Sequence, residues 1–134
     1  MTYTICYVSK AMEALNQLAI EDIFMTTIHN NKQKNIHGIL LYGMGDFFQV
    51  LEGNEKEVED LFENHIKKDP RHSNIFEVIR RPTQKPIFSE YSSLFTVVKT
   101  NQQLEQIKTY LALNKVNSTS EKLSRLLNPF LLDT

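Results

Sequence analysis

The chain has a single cysteine, Cys6, so no internal disulfide can form, and no Cys/His cluster has the spacing of zinc ligands. That usage fits a reducing, cytoplasmic compartment. Long apolar runs are missing as well. The longest, Ile39-Leu40-Leu41-Tyr42, falls far short of the roughly 20 residues of a spanning helix. The N-terminus has no basic stretch leading into an apolar one, so neither export nor a membrane partner is expected. An excess of one charge is also lacking: 15 Lys+Arg stand against 16 Asp+Glu, with pI ≈ 6.4. The basic footprint of a nucleic-acid binder is therefore absent, and nucleic acid is not an expected partner. Only four glycines and four prolines are present, about half the usual share, which predicts regular elements with short connections and few long loops. None of G-x-S-x-G, H-E-x-x-H, a P-loop, a dinucleotide fingerprint or an EF-hand loop occurs, so the chain reads as a non-enzyme without a metal site.

What is present is a core. Hydrophobic residues make up 41% and charged residues 23% of 134 residues, the balance of one compact domain. Residues 3–8 are β-branched, aromatic or small apolar, predicting a first strand closed by Ser9 and Lys10. Ile20, Ile23, Phe24 and Ile28 fall at three-four spacing, predicting a helix over 17–31 whose inward face ends on the amide of Asn31. Residues 36–42 form a second strand. Gly43-Met44-Gly45-Asp46 supplies a turn, and 47–52 returns as its hairpin partner, with Phe47, Gln49 and Leu51 on one face and Phe48, Val50 and Glu52 on the other. Asn54 with Glu57 caps a second helix striped by Val58, Leu61, Phe62, His65 and Ile66, ended by Asp69-Pro70. Residues 75–79 and 91–98 read as strands four and five around a loop punctuated by Pro82 and Pro86.

The order βαββαββ predicts an α+β, ferredoxin-like sandwich over residues 1–100. Residues 101–134 form a helical extension, with Ser118-x-x-Glu121 capping its second helix. Its Leu123, Leu126, Leu127, Phe130, Leu131 and Leu132 are expected to cover the sheet's second face, to serve as an interaction surface, or both.

With conventional motifs absent, the notable feature is a set of neutral polar groups on inward faces: Tyr7, Asn31 and Gln49. Strands one and three are neighbours in this topology, and helix one packs over them, so the three can converge. An amide beside a phenol can act as a two-state element, because turning or tautomerising Gln reverses its hydrogen-bond polarity. A buried amide that merely satisfies backbone groups is the plain alternative, and spacing leaves both open.

Tyr7-Val8-Ser9, Asn30-Asn31, Ile36-His37-Gly38-Ile39-Leu40-Leu41-Tyr42 and Phe47-Phe48-Gln49-Val50-Leu51-Glu52-Gly53 occur in order, followed by Asp69-Pro70-Arg71-His72. This string resembles the BLUF family of flavin-using blue-light sensors over about residues 3–98. The resemblance implies a non-covalently held FAD or FMN between the two helices. Tyr7 would be the electron and proton donor, Gln49 the bridge to the flavin and Asn31 the holder of its carbonyl and N–H edge, with Asn30 a weaker contact or a helix C-terminal cap. Ile23, Phe47 and Ile66 would sandwich the ring. His65 would face it, His72 would be structural, and Lys67 and Lys68 would approach a phosphate. Three departures accompany the match. His37 replaces the family's threonine, one extra residue lies between Gly53 and Ile66, and the family's Trp and Met on strand five read Tyr91 and Ser93, the expected signal relay. The expected function is a cytoplasmic photoreceptor without an output domain of its own, acting through an unidentified downstream protein and as a homo-oligomer. The alternatives are an RNA-recognition-like module or another ferredoxin-like binding module without flavin, or an acyl-phosphate-cleaving enzyme of the same shape. The charge balance disfavours the first, and a missing anion-cradling loop disfavours the last.

Overall fold

A computed structural model describes residues 2–114, 117–130 and 132. The elements are β1 (Thr2–Ala11), α1 (Gln17–Gln33), β2 (His37–Gly43), β3 (Asp46–Gly53), α2 (Glu55–Leu61, continued by a π-turn at Phe62–Ile66), β4 (His72–Thr83), β5 (Thr96–Val98), α3 (Asn101–Leu113) and α4 (Ser118–Leu127). They form one sheet in the order β4-β1-β3-β2-β5. All neighbours are antiparallel except β2 and β5. This is the ferredoxin-like α+β sandwich expected, with β1 and β3 adjacent.

Alternation along the strands divides the sheet into two apolar layers. On one face Ile5, Tyr7, Leu40, Phe47 and Leu51 pack with Ile20 and Phe24 of α1 and Val58, Leu61 and Phe62 of the second helix. On the other, Cys6, Ile39, Leu41, Phe48 and Val50 pack with Leu104, Ile107 and Leu111 of α3 and Leu123 and Leu127 of α4. The second face is thus covered within this chain. Leu123, Leu127 and Leu132 are buried there, so the outward surface expected of them is not available; Leu126 and Phe130 are half-buried, and Leu131 lies outside the described residues.

Two glycines are required by backbone geometry. Gly45 (φ 82°) and Met44 (φ 56°) turn the β2–β3 hairpin with positive φ at both central positions. Gly38 sits at φ 140°, where an added Cβ would lie 1.9 Å from the Val50 carbonyl oxygen, so the strands approach only because no side chain is there.

Several boundaries differ from the sequence reading. β1 runs on to Ala11, with Ser9 and Lys10 paired to Phe47 and Asp46. β4 covers 12 residues and includes Pro82, which is tolerated because β4 is an edge strand with one neighbour. α4 is capped one residue early, by Asn117, whose Oδ1 accepts from the Ser120 N–H. The largest difference is β5, which is three residues long and not eight. The side chain of Glu52, 1% exposed, accepts from the backbone N–H groups of Ile87 (2.5 Å), Phe88 (3.0 Å) and Ser89 (2.9 Å). The chain then turns, with the N–H groups of Tyr91 and Ser92 both donated to the Phe88 carbonyl. Backbone donors committed to a carboxyl group and a turn cannot join a strand ladder, so Tyr91 and Ser93 precede β5.

Glu52→Ala leaves these N–H groups without their acceptor and is expected to lower unfolding free energy by about 2–4 kcal/mol. Urea denaturation of the flavin-free protein measures this; a loss below about 0.5 kcal/mol would contradict the role assigned to Glu52.

Candidate functional site

The site begins with strand register. Tyr7 of β1 lies directly opposite Gln49 of β3, so both side chains leave the sheet on the helix-covered face. Gln49 Nε2–H donates to Tyr7 Oη at 2.5 Å, and both residues are 3% exposed. Burial pushes the Tyr7 phenol well above the ordinary tyrosine range, and the bond from Gln49 opposes that shift in part.

Asn31 comes from the last turn of α1, which ends in a Schellman arrangement. The Ile36 N–H donates to the Asn31 carbonyl (2.8 Å), the Asn35 N–H donates to the Lys32 carbonyl (3.2 Å), and Asn35 takes φ 54°. The helix therefore passes Asn30 and Asn31, and Asn35 sits at the position expected of Asn30 as a C-terminal cap. Because the Asn31 carbonyl is tied to the residue that leads into β2, its side chain is carried inward with 1% exposure.

The second helix contributes through an irregularity. Its end widens into a π-turn, marked by the Lys67 N–H donated to the Phe62 carbonyl at 2.9 Å. His65 and Ile66 lie in that turn.

Between these elements is a cavity of about 250 Å³. Tyr7, Phe47 and Gln49 from the sheet, Ile23, Asn30 and Asn31 from α1, and His65 and Ile66 from the π-turn all line it. Thr26, Thr27, Leu40, Leu61, Asp69, Arg71 and His72 complete the wall. Of these, Asp69, Arg71 and His72 belong to the Asp69-Pro70-Arg71-His72 stretch of the resemblance, and Thr27 is legible by its place four residues before Asn31 on the same helix stripe. Leu40 and Leu61 are indistinguishable in sequence from other core leucines.

The cavity wall holds two buried polar atoms with no partner: Asn31 Nδ2, a donor, and Gln49 Oε1, an acceptor. Each such atom costs on the order of 1–3 kcal/mol when its hydrogen bond is left unmade. A flat ring whose edge alternates carbonyl oxygen, N–H and ring nitrogen offers the complementary acceptor and donor. A flavin has such an edge, and apolar Ile23, Phe47 and Ile66 suit its faces, so the residues present fit the group.

At one rim Arg71 binds Asp69 through Nε (3.0 Å) and Nη2 (2.7 Å) and reaches Asp22 of α1 through Nη1 (3.3 Å). The Arg71 guanidinium holds the Asp69 carboxyl below the usual carboxylate range. His65 is exposed and lies 3.7 Å from Asp60. Lys67 pairs with Glu63 (3.1 Å) and Glu77 (3.9 Å) outside the cavity, and Lys68 is exposed, so neither lines the pocket expected to meet a phosphate. Tyr91 and Ser93 are also elsewhere. Tyr91 packs against the α3/α4 layer with its ring 4.8 Å from Tyr110, and Ser93 is exposed. Among the described residues, no group of three or more His, Cys, Asp or Glu could hold a metal ion, and no helix is long and apolar enough to cross a membrane.

This sandwich, with a phenol–amide pair on the wall of a cavity whose unpaired donor and acceptor suit a flavin edge, has the form of a chromophore-binding sensor domain. The family described as sensors of blue-light using FAD, BLUF, matches residues 2–94, and the chain belongs to that family. It is a flavin-using blue-light sensor by family, which displaces the RNA-recognition-like reading. Photoactivated adenylate cyclase subunit beta of Euglena gracilis is 32% identical over 119 residues, 89% of this chain and 13% of the relative. The blue light- and temperature-regulated antirepressor BluF of Escherichia coli (strain K12) is 35% identical over 79 residues, 59% of this chain and 19% of the relative. Among solved structures, the BLUF domain of BlrP1 from Klebsiella pneumoniae is similar at 27% identity and TM-score 0.76, covering 99% of this chain and 91% of that one. The chain thus spans about 13% and 19% of these two curated relatives' lengths.

Two outcomes are expected from the buried polar groups. Asn31→Leu removes an unpaired amide and should raise the stability of the flavin-free protein by about 1 kcal/mol in urea while weakening flavin uptake. Equal or lower stability would show that the amide is already satisfied without a ligand. Because the folded-state pKa of Tyr7 is raised, its contribution is intact below the unfolded tyrosine value of about 10 and is lost as pH climbs above it. Alkaline melts should therefore lose up to about 1.4 kcal/mol less per pH unit in Tyr7→Phe than in the unaltered protein.

Proposed function

We propose that Tyr7 and Gln49 form the photochemical switch and that Asn31 holds the polar edge of the flavin, with Ile23, Phe47 and Ile66 against its faces. Asn30 and His65 flank the ring's surroundings. The observation that carries this reading is the pair of unpartnered buried atoms, Asn31 Nδ2 and Gln49 Oε1, on the wall that also holds the Gln49–Tyr7 hydrogen bond. When bound, flavin supplies light absorption and a strong one-electron oxidant.

The protein's own groups govern the movement of the proton. Burial disfavours a separated charge on Tyr7, so loss of its electron is coupled to loss of its phenolic proton. Gln49 is the neighbour that can take that proton. With the amide turned so that Oε1 faces the phenol, Oε1 would accept the Tyr7 proton while the nitrogen would give one up to the bound flavin, the group that would also take the Tyr7 electron, so that Gln49 tautomerises without net charge. The turned amide then presents a different polarity to the bound ring and shifts its absorption to the red. Reversal in the dark returns both protons.

We further propose that this stretch of chain senses without catalysis of its own and does so in the cytoplasm, with the sensory part ending near residue 100 and residues 101–134 forming the extension. A relative named as an antirepressor supports output through contact with another protein, accompanied by self-association. Tyr91 and Ser93 retain a relay role only through the α3/α4 layer, since Tyr91 packs there and not at the cavity. The replacement of the family's Met by Ser93 is expected to alter the dark-recovery rate.

The visible spectrum before and after blue light tests the switch. Unaltered protein loaded with FAD or FMN should shift reversibly to the red, whereas Tyr7→Phe and Gln49→Leu should bind flavin and not shift. A protein that takes up neither flavin overturns the reading. Loaded variants that shift like the unaltered protein would remove Tyr7 and Gln49 from the switch.

A further inference from the structure

The π-turn that brings Ile66 to the cavity leaves a carbonyl at the end of a helix, where intrahelical donors run out. The Ile66 carbonyl accepts the Asp69 N–H at 3.2 Å and sits 2.7 Å from His72 Nε2. A carbonyl can only accept, so Nε2 carries the proton. The other ring nitrogen, Nδ1, is 2.7 Å from Ser9 Oγ, and in the neutral imidazole it accepts the Ser9 hydroxyl. Both nitrogens of one ring are thus engaged, one by β1 and one by the end of the second helix.

The same ring stands edge-on beside the aromatic side chains of the site. Its centroid is 6.1 Å from Tyr7 with planes at 62°, and 6.2 Å from Phe47 with planes at 86°. His72 therefore touches the donor phenol, a cavity-wall aromatic and, through a hydrogen bond, the backbone of a third wall residue. A side chain with two fixed tethers has one orientation, whereas a ring held by packing alone has several.

We propose that His72 is the positioning residue of the flavin cavity: by donating Nε2–H to the Ile66 carbonyl it fixes the π-turn against β1, setting the separation between Ile66 and the Tyr7–Phe47 wall within which the ring must fit. This role rests on the flavin-binding reading. It assigns separate jobs to the two nitrogens. The Nε2 bond to an accept-only carbonyl sets the tautomer and the width of the cavity, and the Nδ1 bond to Ser9 holds the other edge of the ring to β1.

The two halves can be separated with amides. A glutamine side chain places its N–H near the position of Nε2 and can still reach Ile66, whereas asparagine reaches only as far as Nδ1 and can meet Ser9 alone. Full-length His72→Gln, His72→Asn and His72→Ala proteins, freed of flavin, are titrated with FMN by fluorescence quenching. Their dark-recovery rates are measured after loading at saturating FMN, and the flavin-free proteins are melted in parallel.

His72→Gln should bind FMN within about threefold of the unaltered protein. His72→Asn and His72→Ala should bind about tenfold or more weakly, the scale of one hydrogen bond, and their dark recovery should change while that of His72→Gln stays close to the unaltered rate. A merely structural histidine would lower the melting temperature of both amide variants without separating their affinities. Equal FMN affinity for His72→Gln and His72→Asn overturns the proposal, as does His72→Ala binding like the unaltered protein. If His72→Ala does not fold, the contrast between the two amides decides. If the unaltered protein takes up no FMN or FAD, the photoreceptor reading fails first and this proposal with it; variants that differ from a protein that does bind FMN test His72 alone.

Discussion

The arrangement depends on one register. Pairing of β1 with β3 puts Tyr7 opposite Gln49 and Cys6 opposite Val50. Because side chains alternate with a period of two, a slip of β1 by one residue would set Tyr7 opposite Phe48 or Val50, sending the phenol into the α3/α4 layer and bringing Cys6 to the cavity face while Gln49 stayed there. The turn at Met44 and Gly45 and the close approach of Gly38 to the Val50 carbonyl fix β3 against β2, and the Ala11 N–H donated to the Gly45 carbonyl at 2.9 Å ties the end of β1 to that turn. The polar pair is therefore held by backbone geometry more than by its own hydrogen bond. That is a suitable foundation for a bond proposed to rearrange.

The two layers solve different problems. The layer under α3 and α4 is apolar, and the buried carboxyl group of Glu52 beside it has backbone N–H partners on both oxygens. The layer under α1 and the second helix keeps a cavity and two buried polar atoms without partners. Stability alone would not maintain such a wall, since each orphaned group costs more than an apolar residue of similar size. The helices above it are correspondingly tied at their ends: α1 by the Schellman bonds into β2, and the π-turn by Ile66 bonds to Asp69 and His72. Fixed ends allow the middle of the layer to remain open.

Much of this was legible because it rests on short-range pattern. Alternation in 47–52 separates Gln49 from Phe48 and Val50, and three-four spacing in α1 puts Asn31 at the end of the inward stripe, so the Tyr7–Asn31–Gln49 convergence follows from topology. Contacts that span long sequence separations were not legible. Nothing local in residues 87–94 reveals that Glu52, 35 residues before Ile87, takes the backbone donors of 87–89 and anchors the turn that uses the N–H groups of Tyr91 and Ser92. The C-terminal end of α1 is a milder case: Asn30, Asn31 and Asn35 are all plausible caps by residue type, and only the positive φ of Asn35 distinguishes them. His72 stood in the Asp69-Pro70-Arg71-His72 stretch and read as structural because that stretch does not show its partners, which lie 63 and 6 residues away in sequence.

β3 belongs to both layers and is where their different demands meet. It carries Phe47 and Gln49 to the cavity, and Phe48, Val50 and Glu52 to the opposite core. Through Glu52 it holds the backbone of 87–89, and the Ile87 carbonyl in turn accepts the Tyr110 hydroxyl of α3 at 2.5 Å. Tyr110 also packs on Tyr91, so the residue expected to relay a signal is connected to β3 by way of α3 and the 87–89 turn. The phenol of Tyr110 is itself raised above its ordinary range, first by burial and then by nearby Glu90 and Glu52, which keeps it a neutral donor to that carbonyl. A strand that is backbone-paired on both sides and tethered at its far end cannot shift at Gln49 without loading these bonds. That mechanical connection crosses the sheet from the cavity layer to the C-terminal helices without passing through the short β5.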